Sequence, residues 1–229
     1  MKVVNMLKLF ETALNTISDK FNDGEKPDRD EILTYLNSAQ LTYMKEKYLN
    51  NATFKDNIES VNSRTEEFKN LIVNDTITSM SSYYMTHSIS FNLPDNYLFY
   101  LKSDSKITRT TIYPCTNKYI PNQEGNYKDV DKLMTTPFNI PVIQRPLIVF
   151  MSVNDASGAL LVHDKYTTIS EIKISYVRKP KELIETVVDS DLQTDECELA
   201  EYVHNDIVNL ALQLFEQNKF KLISKENKE

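Results

Sequence analysis

Histidine and cysteine are the residue types here that most often bind metals or act in catalysis, and their spacing favours neither role. His87, His163 and His204 never lie one helical turn apart, so no zinc-binding helix of the HExxH type is predicted. Cys115 and Cys197 are far apart and form no CxxC pair, which argues against a zinc or thioredoxin-like motif. We therefore expect a non-enzymatic chain with no cofactor, no metal site and no catalytic residue.

Acidic residues recur from Asp189 to Asp195 in a pattern that resembles the start of a calcium-binding loop. Thr194 stands where such a loop needs glycine, and Ala200 stands where it needs a bidentate glutamate. We interpret the segment as an acidic linker that leads into a helix.

The charge balance bears on the partners of the chain. Lys and Arg number 26 against 33 Asp and Glu, which gives a net charge of −7 and disfavours general nucleic-acid binding. Lys102, Lys106 and Arg109 are dispersed along predicted strands and are expected on a solvated face. No apolar run is long enough for a transmembrane helix, so no membrane partner is predicted.

Helical periodicity dominates the first part of the chain, residues 1–75. Apolar residues recur at intervals of three and four residues in three successive segments, which predicts three amphipathic helices in an up-down arrangement. The first face comprises Val3, Leu7, Phe10, Leu14, Ile17 and Phe21. The second comprises Ile32, Leu36, Ala39 and Tyr43, and the third runs from Phe54 to Ile72.

Strand-like alternation fills residues 76–180. Separate short strands are expected at 89–93, 98–101, 106–113, 147–151 and 159–163, with a hairpin turn at 154–158. The alternation at 167–177 requires one register break. Residues 116–136 are predicted to form a long loop, and the short connections elsewhere favour an antiparallel meander.

The third part, residues 181–229, is predicted to be irregular and acidic at first and then helical from near Thr194. The helix carries an apolar stripe, which is expected to pack on the N-terminal helices and comprises Leu199, Val203, Ile207, Leu210 and Leu214. The charged residues 217–229 are expected to be frayed or ordered by a partner. The predicted class is α+β, with an N-terminal helical bundle and the C-terminal helix packed together, and with a central antiparallel β domain.

Five short motifs occur in a fixed order along the chain. They are LTYLNSAQ at 33–40, LPDNYL at 93–98, PFNIP at 137–141, YVRKP at 176–180 and ELAEYVHNDIV at 198–208. Together they resemble the head-to-tail connector or ring proteins of short-tailed, crAss-like bacteriophages.

The resemblance implies a virion structural protein, made in the host bacterial cytoplasm, that forms a dodecameric ring beneath the portal. It implies contacts with copies of itself, with the portal protein and with neighbouring ring or tail proteins. DNA would pass through the channel without specific binding, and no enzymatic activity would be present.

Three alternatives remain open on the sequence. The chain could be another tail structural component, a cellular non-enzymatic protein-binding module, or an enzyme of unrecognised type. A monomeric binding module would form no closed ring, and an enzyme would need titratable groups that converge in a cleft.

Overall fold

A computed structural model describes residues 1–17, 27–52, 66–82, 87–109, 115–126, 128, 146–153, 156–163, 166–188, 191–194 and 196–226. The chain divides into two compact units. The helical unit combines Met1–Leu71 with Lys179–Glu229, and the β unit is Ile72–Arg178. The predicted α+β class is confirmed, because helices occur at both ends of the chain and sheets lie between them.

Three long helices are described in the helical unit: α1 (Val3–Ile17), α2 (Arg29–Ala52) and α3 (His204–Glu226). Asp28 precedes α2, and its carbonyl oxygen accepts a hydrogen bond from the Ile32 N–H at 3.0 Å. Acidic residues follow in the first turn of α2, where negative charge suits the helix dipole. Short 3₁₀ turns are described at Lys69–Leu71 and Glu201–Val203.

The core of the helical unit centres on Phe215 of α3. Its ring meets Phe10 of α1 and Tyr35 of α2 edge to face, with centroids 6.2 Å and 5.5 Å away. Ala211, one turn earlier, is fully buried and allows the helices to approach closely. Burying the Phe215 side chain contributes about 2 kcal/mol to the free energy of unfolding, so α3 joins the two N-terminal helices in one core.

Several predictions for this unit are wrong. Ile72 belongs to a strand and does not end a third helix, while residues 53–65 of that predicted helix lie outside the described residues. The last helix begins at His204 and not near Thr194. Residues 217–229 were predicted to be frayed or ordered by a partner, but residues 217–226 continue α3 and residues 227–229 lie outside the described part. The acidic residues from Asp189 to Asp195 were interpreted as a linker that leads into the helix, but strands occupy Glu185–Val188 and Asp191–Thr194, and the β-branched Thr186, Val187 and Val188 favour strands.

That acidic segment contains a hairpin, which the prediction of irregular structure missed. Strand β10 (Glu185–Val188) pairs antiparallel with β11 (Asp191–Thr194). Thr194 is therefore the last residue of a strand.

The β unit consists of two sheets. The four-stranded sheet has the order β1-β9-β4-β5 and the five-stranded sheet has the order β2-β3-β8-β7-β6. The strands are β1 (Ile72–Ile77), β2 (Ser81–Ser82), β3 (Ser88–Asn92), β4 (Tyr97–Arg109), β5 (Cys115–Pro121), β6 (Gln123–Glu124), β7 (Leu147–Val153), β8 (Ala156–Val162) and β9 (Thr167–Arg178).

The two sheets pack face to face around one apolar core. Ile172, Ile174 and Tyr176 of β9 meet residues of the five-stranded sheet such as Phe91 and Leu161. The opposite face of the five-stranded sheet is also buried, and its cross-strand neighbours include Val149 and Leu160. Apolar residues on both faces explain why β7 reads as an almost continuous apolar run.

The predicted register break in β9 is confirmed. Lys106 lies opposite Glu171, but Ile107 lies opposite Ile169, so Ser170 is the extra residue on β9. Such a bulge brings Ile169 to the same side of the sheet as Ile172 and Ile174.

Other predictions for the β unit are wrong. Strands β5 and β6 occupy much of the predicted loop at 116–136, of which residues 127 and 129–136 lie outside the described residues. The predicted strands at 98–101 and 106–113 are one strand through Arg109, with residues 110–113 outside the described part.

The predicted hairpin at 154–158 is confirmed, because β7 pairs antiparallel with β8 up to Val153 opposite Ala156. Its turn is shorter than predicted, since residues 156–158 belong to β8, and residues 154–155 lie outside the described part. The predicted meander is wrong. The sheets do not form a meander, because β1 pairs with β9 and β6 runs parallel to β7. Local alternation specifies strands but carries no signal for these distant pairings.

Ile207 tests the packing of α3, because its side chain is fully buried in the helical unit. We expect Ile207→Asp to lower the free energy of unfolding by at least about 4 kcal/mol, since a buried carboxylate without a partner is costly. Urea denaturation measures the change. Asn209→Asp, at an exposed site on the same helix, is the control and should stay within about 0.5 kcal/mol. Wild-type stability in Ile207→Asp, or an intact ring formed by it, would contradict the prediction.

Candidate assembly interface

The residues predicted to form core or interface helices lie in the helical unit, where α2 packs against α3. Those on α2 are all buried: Ile32, Leu36, Ala39 and Tyr43. Of the others, Leu199 precedes α3, Val203 lies in the 3₁₀ turn, and both are buried with Ile207. Leu210 and Leu214 are half-buried, whereas Ala211 and Phe215 are buried. The buried face of α3 is thus displaced by one residue from the predicted stripe.

A polar cluster on α2 holds the chain where it returns from the β unit. The Asn37 carboxamide accepts a hydrogen bond from the Leu183 N–H at 2.7 Å and donates one to the Leu183 carbonyl at 3.1 Å. The Gln40 carboxamide donates to the Asn37 side-chain oxygen Oδ1 at 3.2 Å and accepts a hydrogen bond from the Cys197 thiol at 3.6 Å. We call Asn37, Gln40, Leu183 and Cys197 the α2 clamp.

The chemistry of each group suits its place in the α2 clamp. A carboxamide offers a donor and an acceptor, so Asn37 satisfies both backbone groups of one residue. Burial raises the pKa of the Cys197 thiol, which keeps it protonated and able to donate. Sequence reasoning missed this cluster, although Asn37 and Gln40 lie in the 33–40 motif. The available signal was two carboxamides beside the apolar face of α2.

Asn37 provides the direct test of the α2 clamp. We expect Asn37→Ala to lower the free energy of unfolding by about 1–3 kcal/mol, because it leaves backbone groups of Leu183 without partners. Chemical denaturation followed by circular dichroism gives the value. Ser38→Ala, at the next and exposed position of α2, should change it by less than about 0.5 kcal/mol. Equal stability of the two variants would show that the clamp contributes nothing.

His204, the first residue of α3, is buried and has an asymmetric environment. Its Nε2–H donates to the Leu199 carbonyl at 2.9 Å, while Nδ1 has no hydrogen-bond partner among the described residues. Burial lowers the pKa of His204, an effect only partly opposed by the hydrogen bond to Leu199 and by the Glu201 carboxylate. The neutral ring is therefore the form that the folded chain favours.

This environment predicts a pH-dependent stability. Because the unfolded chain, with a His pKa near 6.5, binds the proton more readily than the folded chain, stability should fall as pH falls below about 7. His204→Gln, whose amide can replace the Nε2–H donor, should flatten this part of the profile. The stability of both chains is measured by denaturation between about pH 5 and pH 8, a range that brackets the pKa of an ordinary histidine.

A histidine of the β unit serves as the control. On acidification, the helical unit of His163→Gln should lose as much stability as that of the unchanged chain. If His204→Gln loses as much stability as the unchanged chain over this pH range, the assignment to His204 is incorrect.

The outer face of the four-stranded sheet carries a charged and aromatic cluster. The Lys106 ammonium donates to Glu171 Oε2 at 3.1 Å, and the Tyr119 hydroxyl donates to Oε1 at 2.7 Å. These two hydrogen bonds lower the pKa of the Glu171 carboxyl, that from Tyr119 contributing most. The Lys173 ammonium lies 4.1 Å from the centre of the Tyr119 ring, which is 38% exposed. This surface can meet a protein partner through charge and through an aromatic ring.

The predicted solvated face of Lys102, Lys106 and Arg109 is only partly observed. Lys102 is exposed and Lys106 is paired with Glu171, but Arg109 is buried and its guanidinium lies 5.9 Å from the Tyr166 ring. The expectation for Arg109 is therefore wrong, because every second residue in the second half of β4 is buried as far as the end of the strand, and Arg109 occupies the last of these positions.

The three histidines are distributed over both units. Pairing of β3 with β8 brings the rings of His87 and His163 to 6.4 Å, although 76 positions separate them in the sequence. Among the described residues, no three His, Cys, Asp or Glu side chains are arranged to hold a metal ion. Within the same part of the chain, no helix is long and apolar enough to cross a bilayer.

Comparison with known proteins places the chain in a class of phage structural proteins. The family described as "Phage tail ring protein 3/4" matches residues 1–227. The chain belongs to this family of ring proteins, and the resemblance to crAss-like phage ring proteins found in the sequence is confirmed.

One curated relative is similar over a shorter region. "Ring protein 4/5" of Bacteroides phage crAss001 is 31% identical to this chain over 99 residues, which are 39% of this chain and 41% of that protein. The match therefore spans less than half of the relative. Family membership makes the chain a structural ring component of a phage tail.

Proposed function

We propose that twelve copies of this chain close into a ring of the head-to-tail connector, beneath the portal and around the DNA channel. The ring contacts the portal protein on one side and a neighbouring ring or tail protein on the other. The chain acts as a structural subunit and not as a catalyst. The observation that carries the proposal is the family match over residues 1–227, almost the whole chain.

The two units support this proposal because a ring needs two unlike surfaces on each subunit. In a head-to-tail ring, one surface of a copy binds a different surface of the next copy. The helical unit offers helix surfaces and an acidic hairpin, whereas the β unit offers a sheet face with exposed lysines. A subunit of this kind has the asymmetry that ring closure requires.

The buried polar groups support a structural role. His204 binds the backbone of Leu199, and the Cys197 thiol binds Gln40. Asn37 binds both backbone groups of Leu183. Each of these interactions fixes the chain in place, and together they favour a rigid helical unit.

The net charge of −7 suits a passage for DNA. A strongly basic channel would bind phosphates and slow the movement of the duplex. An acidic subunit lowers that attraction, which supports passage without specific binding.

The proposal is tested on the purified chain, alone and mixed with purified portal rings of the same phage. We expect native mass spectrometry to show a closed twelve-copy assembly and electron microscopy to show it bound end-on to the portal, because ring contacts are saturated only on closure. Mixing with an unrelated portal is the control and should give no stacked particles.

Two outcomes would contradict this function. A chain that stays monomeric with and without the portal would favour an isolated binding module. Closed rings that attach to other tail proteins and never to the portal would favour a different tail component.

A further inference from the structure

The two sheets of the β unit differ at their edges. The five-stranded sheet ends on β2 and β6, which have two residues each. The four-stranded sheet ends on β1 and β5, which have six and seven residues. Among the described residues, neither β1 nor β5 pairs with a second strand on its outer side. An unpaired strand of this length presents backbone N–H and C=O groups that another strand can bind, whereas a two-residue edge offers few.

Each long edge carries a charged residue on the side of the sheet that faces the core. Asp75 of β1 lies opposite the buried Ile174 of β9. Lys118 of β5 lies opposite the buried Ile107 of β4. Since cross-strand partners lie on the same face of a sheet, both charged residues occupy inward positions. Both side chains are exposed, and neither forms an ion pair within the part of the chain that the structure describes.

An inward charge controls which strand can pair with an edge. A strand that paired there without an opposite charge would cover the charged group beside the core, which is unfavourable. Two β1 edges would bring carboxylates together, and two β5 edges would bring ammonium groups together. Pairing of β5 in one copy with β1 in the next brings opposite charges together. The charges therefore reject like edges and permit unlike edges, as a head-to-tail ring requires.

One register matches both the charged and the apolar residues of the two edges. When Lys118 lies opposite Asp75 of the next copy in an antiparallel pair, Ile120 falls opposite Val73. Both of these apolar residues are half-buried, and each lies two positions from the charged residue of its strand, on the same inward face. A shift by two residues would place Lys118 opposite Val73 or Ile77 and leave its charge without a partner.

Strand direction favours the same junction. Neighbouring strands are antiparallel throughout the order β1-β9-β4-β5, so β1 and β5 run in opposite directions. In a ring whose axis follows the strands, rotation from one copy to the next preserves these directions. Strand β5 then meets β1 of the next copy in an antiparallel pair, which is the slightly more stable kind of ladder.

We propose that β5 of one copy pairs with β1 of the next copy, so that the four-stranded sheets form one continuous sheet around the ring. The junction contains the charge pair of Lys118 with Asp75 and the apolar pair of Ile120 with Val73. This inference rests on the proposed ring and names the surfaces through which its subunits meet. The occupant of each long edge is a second copy of this chain.

Cysteine cross-linking tests the junction. Asp75→Cys and Lys118→Cys are combined in a chain that also carries Cys115→Ser. Within one copy, β1 and β5 are separated by three strand spacings, about 14 Å, which is too far for a disulfide. Oxidised rings should therefore give a ladder of covalent multimers in non-reducing electrophoresis that ends at the copy number of the ring. The control combines Asp75→Cys with Lys102→Cys, an exposed site on the inner strand β4, and should give no ladder.

Charge reversal gives an independent test. Asp75→Lys or Lys118→Glu alone places like charges at every junction, so we expect the subunit concentration for half-assembly to rise at least about tenfold. An equimolar mixture of the two chains should restore it to within about threefold of the unchanged chain, because opposite charges meet again when the chains alternate. Native mass spectrometry across a dilution series measures these values. The matched controls, Glu124→Lys on β6 and Lys102→Glu on β4, should assemble normally.

Three results would overturn the inference while the proposed ring stands. Rings could form without the cross-linked ladder, or both charge-reversed chains could assemble like the unchanged chain. The mixture could also fail to recover although each chain has the circular dichroism spectrum of the unchanged chain. If the unchanged chain forms no ring at all, the proposed function fails as well, so the two failures are distinguishable.

Discussion

The β unit is inserted between the two parts of the helical unit, and this connectivity is the constraint on which the structure depends. The chain leaves the helical unit after Leu71 and returns at Lys179. The two ends of the β unit must therefore lie close together. Strand pairing achieves this, because Ile72 at the start of β1 lies opposite Val177 near the end of β9. The first and last strands of the β unit are thus neighbours, and the helices at the two chain ends can belong to one core.

Two kinds of interaction close the helical unit after the chain returns. Phe215 supplies apolar contact with both N-terminal helices, and the α2 clamp fixes the backbone of the segment that precedes α3. The apolar contact provides most of the stability, whereas the hydrogen bonds fix position, because a net hydrogen bond contributes only about 1 kcal/mol. A ring subunit needs both, since its surfaces must be held in a fixed geometry before copies can meet.

Local sequence signals predicted the parts of the fold that local physics controls. The buried faces of α1 and α2 follow from spacing, and the bulge at Ser170 follows from a break in alternation. The pairing of β1 with β9, the parallel β6 and the α2 clamp depend on residues distant in sequence, which no periodicity reveals. The hairpin before α3 was missed because its acidic residues indicated a linker, whereas its β-branched residues, which favour strands, were given less weight. The family was recognisable only from ordered motifs, since the residues alone indicate no chemistry.

The central claim is that both ends of the chain form one cooperative helical unit. Native-state hydrogen exchange tests it most directly, because amides of a cooperative unit become exposed in the same opening. The account predicts that amides at Met6–Phe10, Leu33–Gln40 and Ile207–Phe215 open with the same free energy and the same denaturant dependence. Exchange of the α3 amides at a distinctly lower free energy than those of α1 and α2 would contradict it.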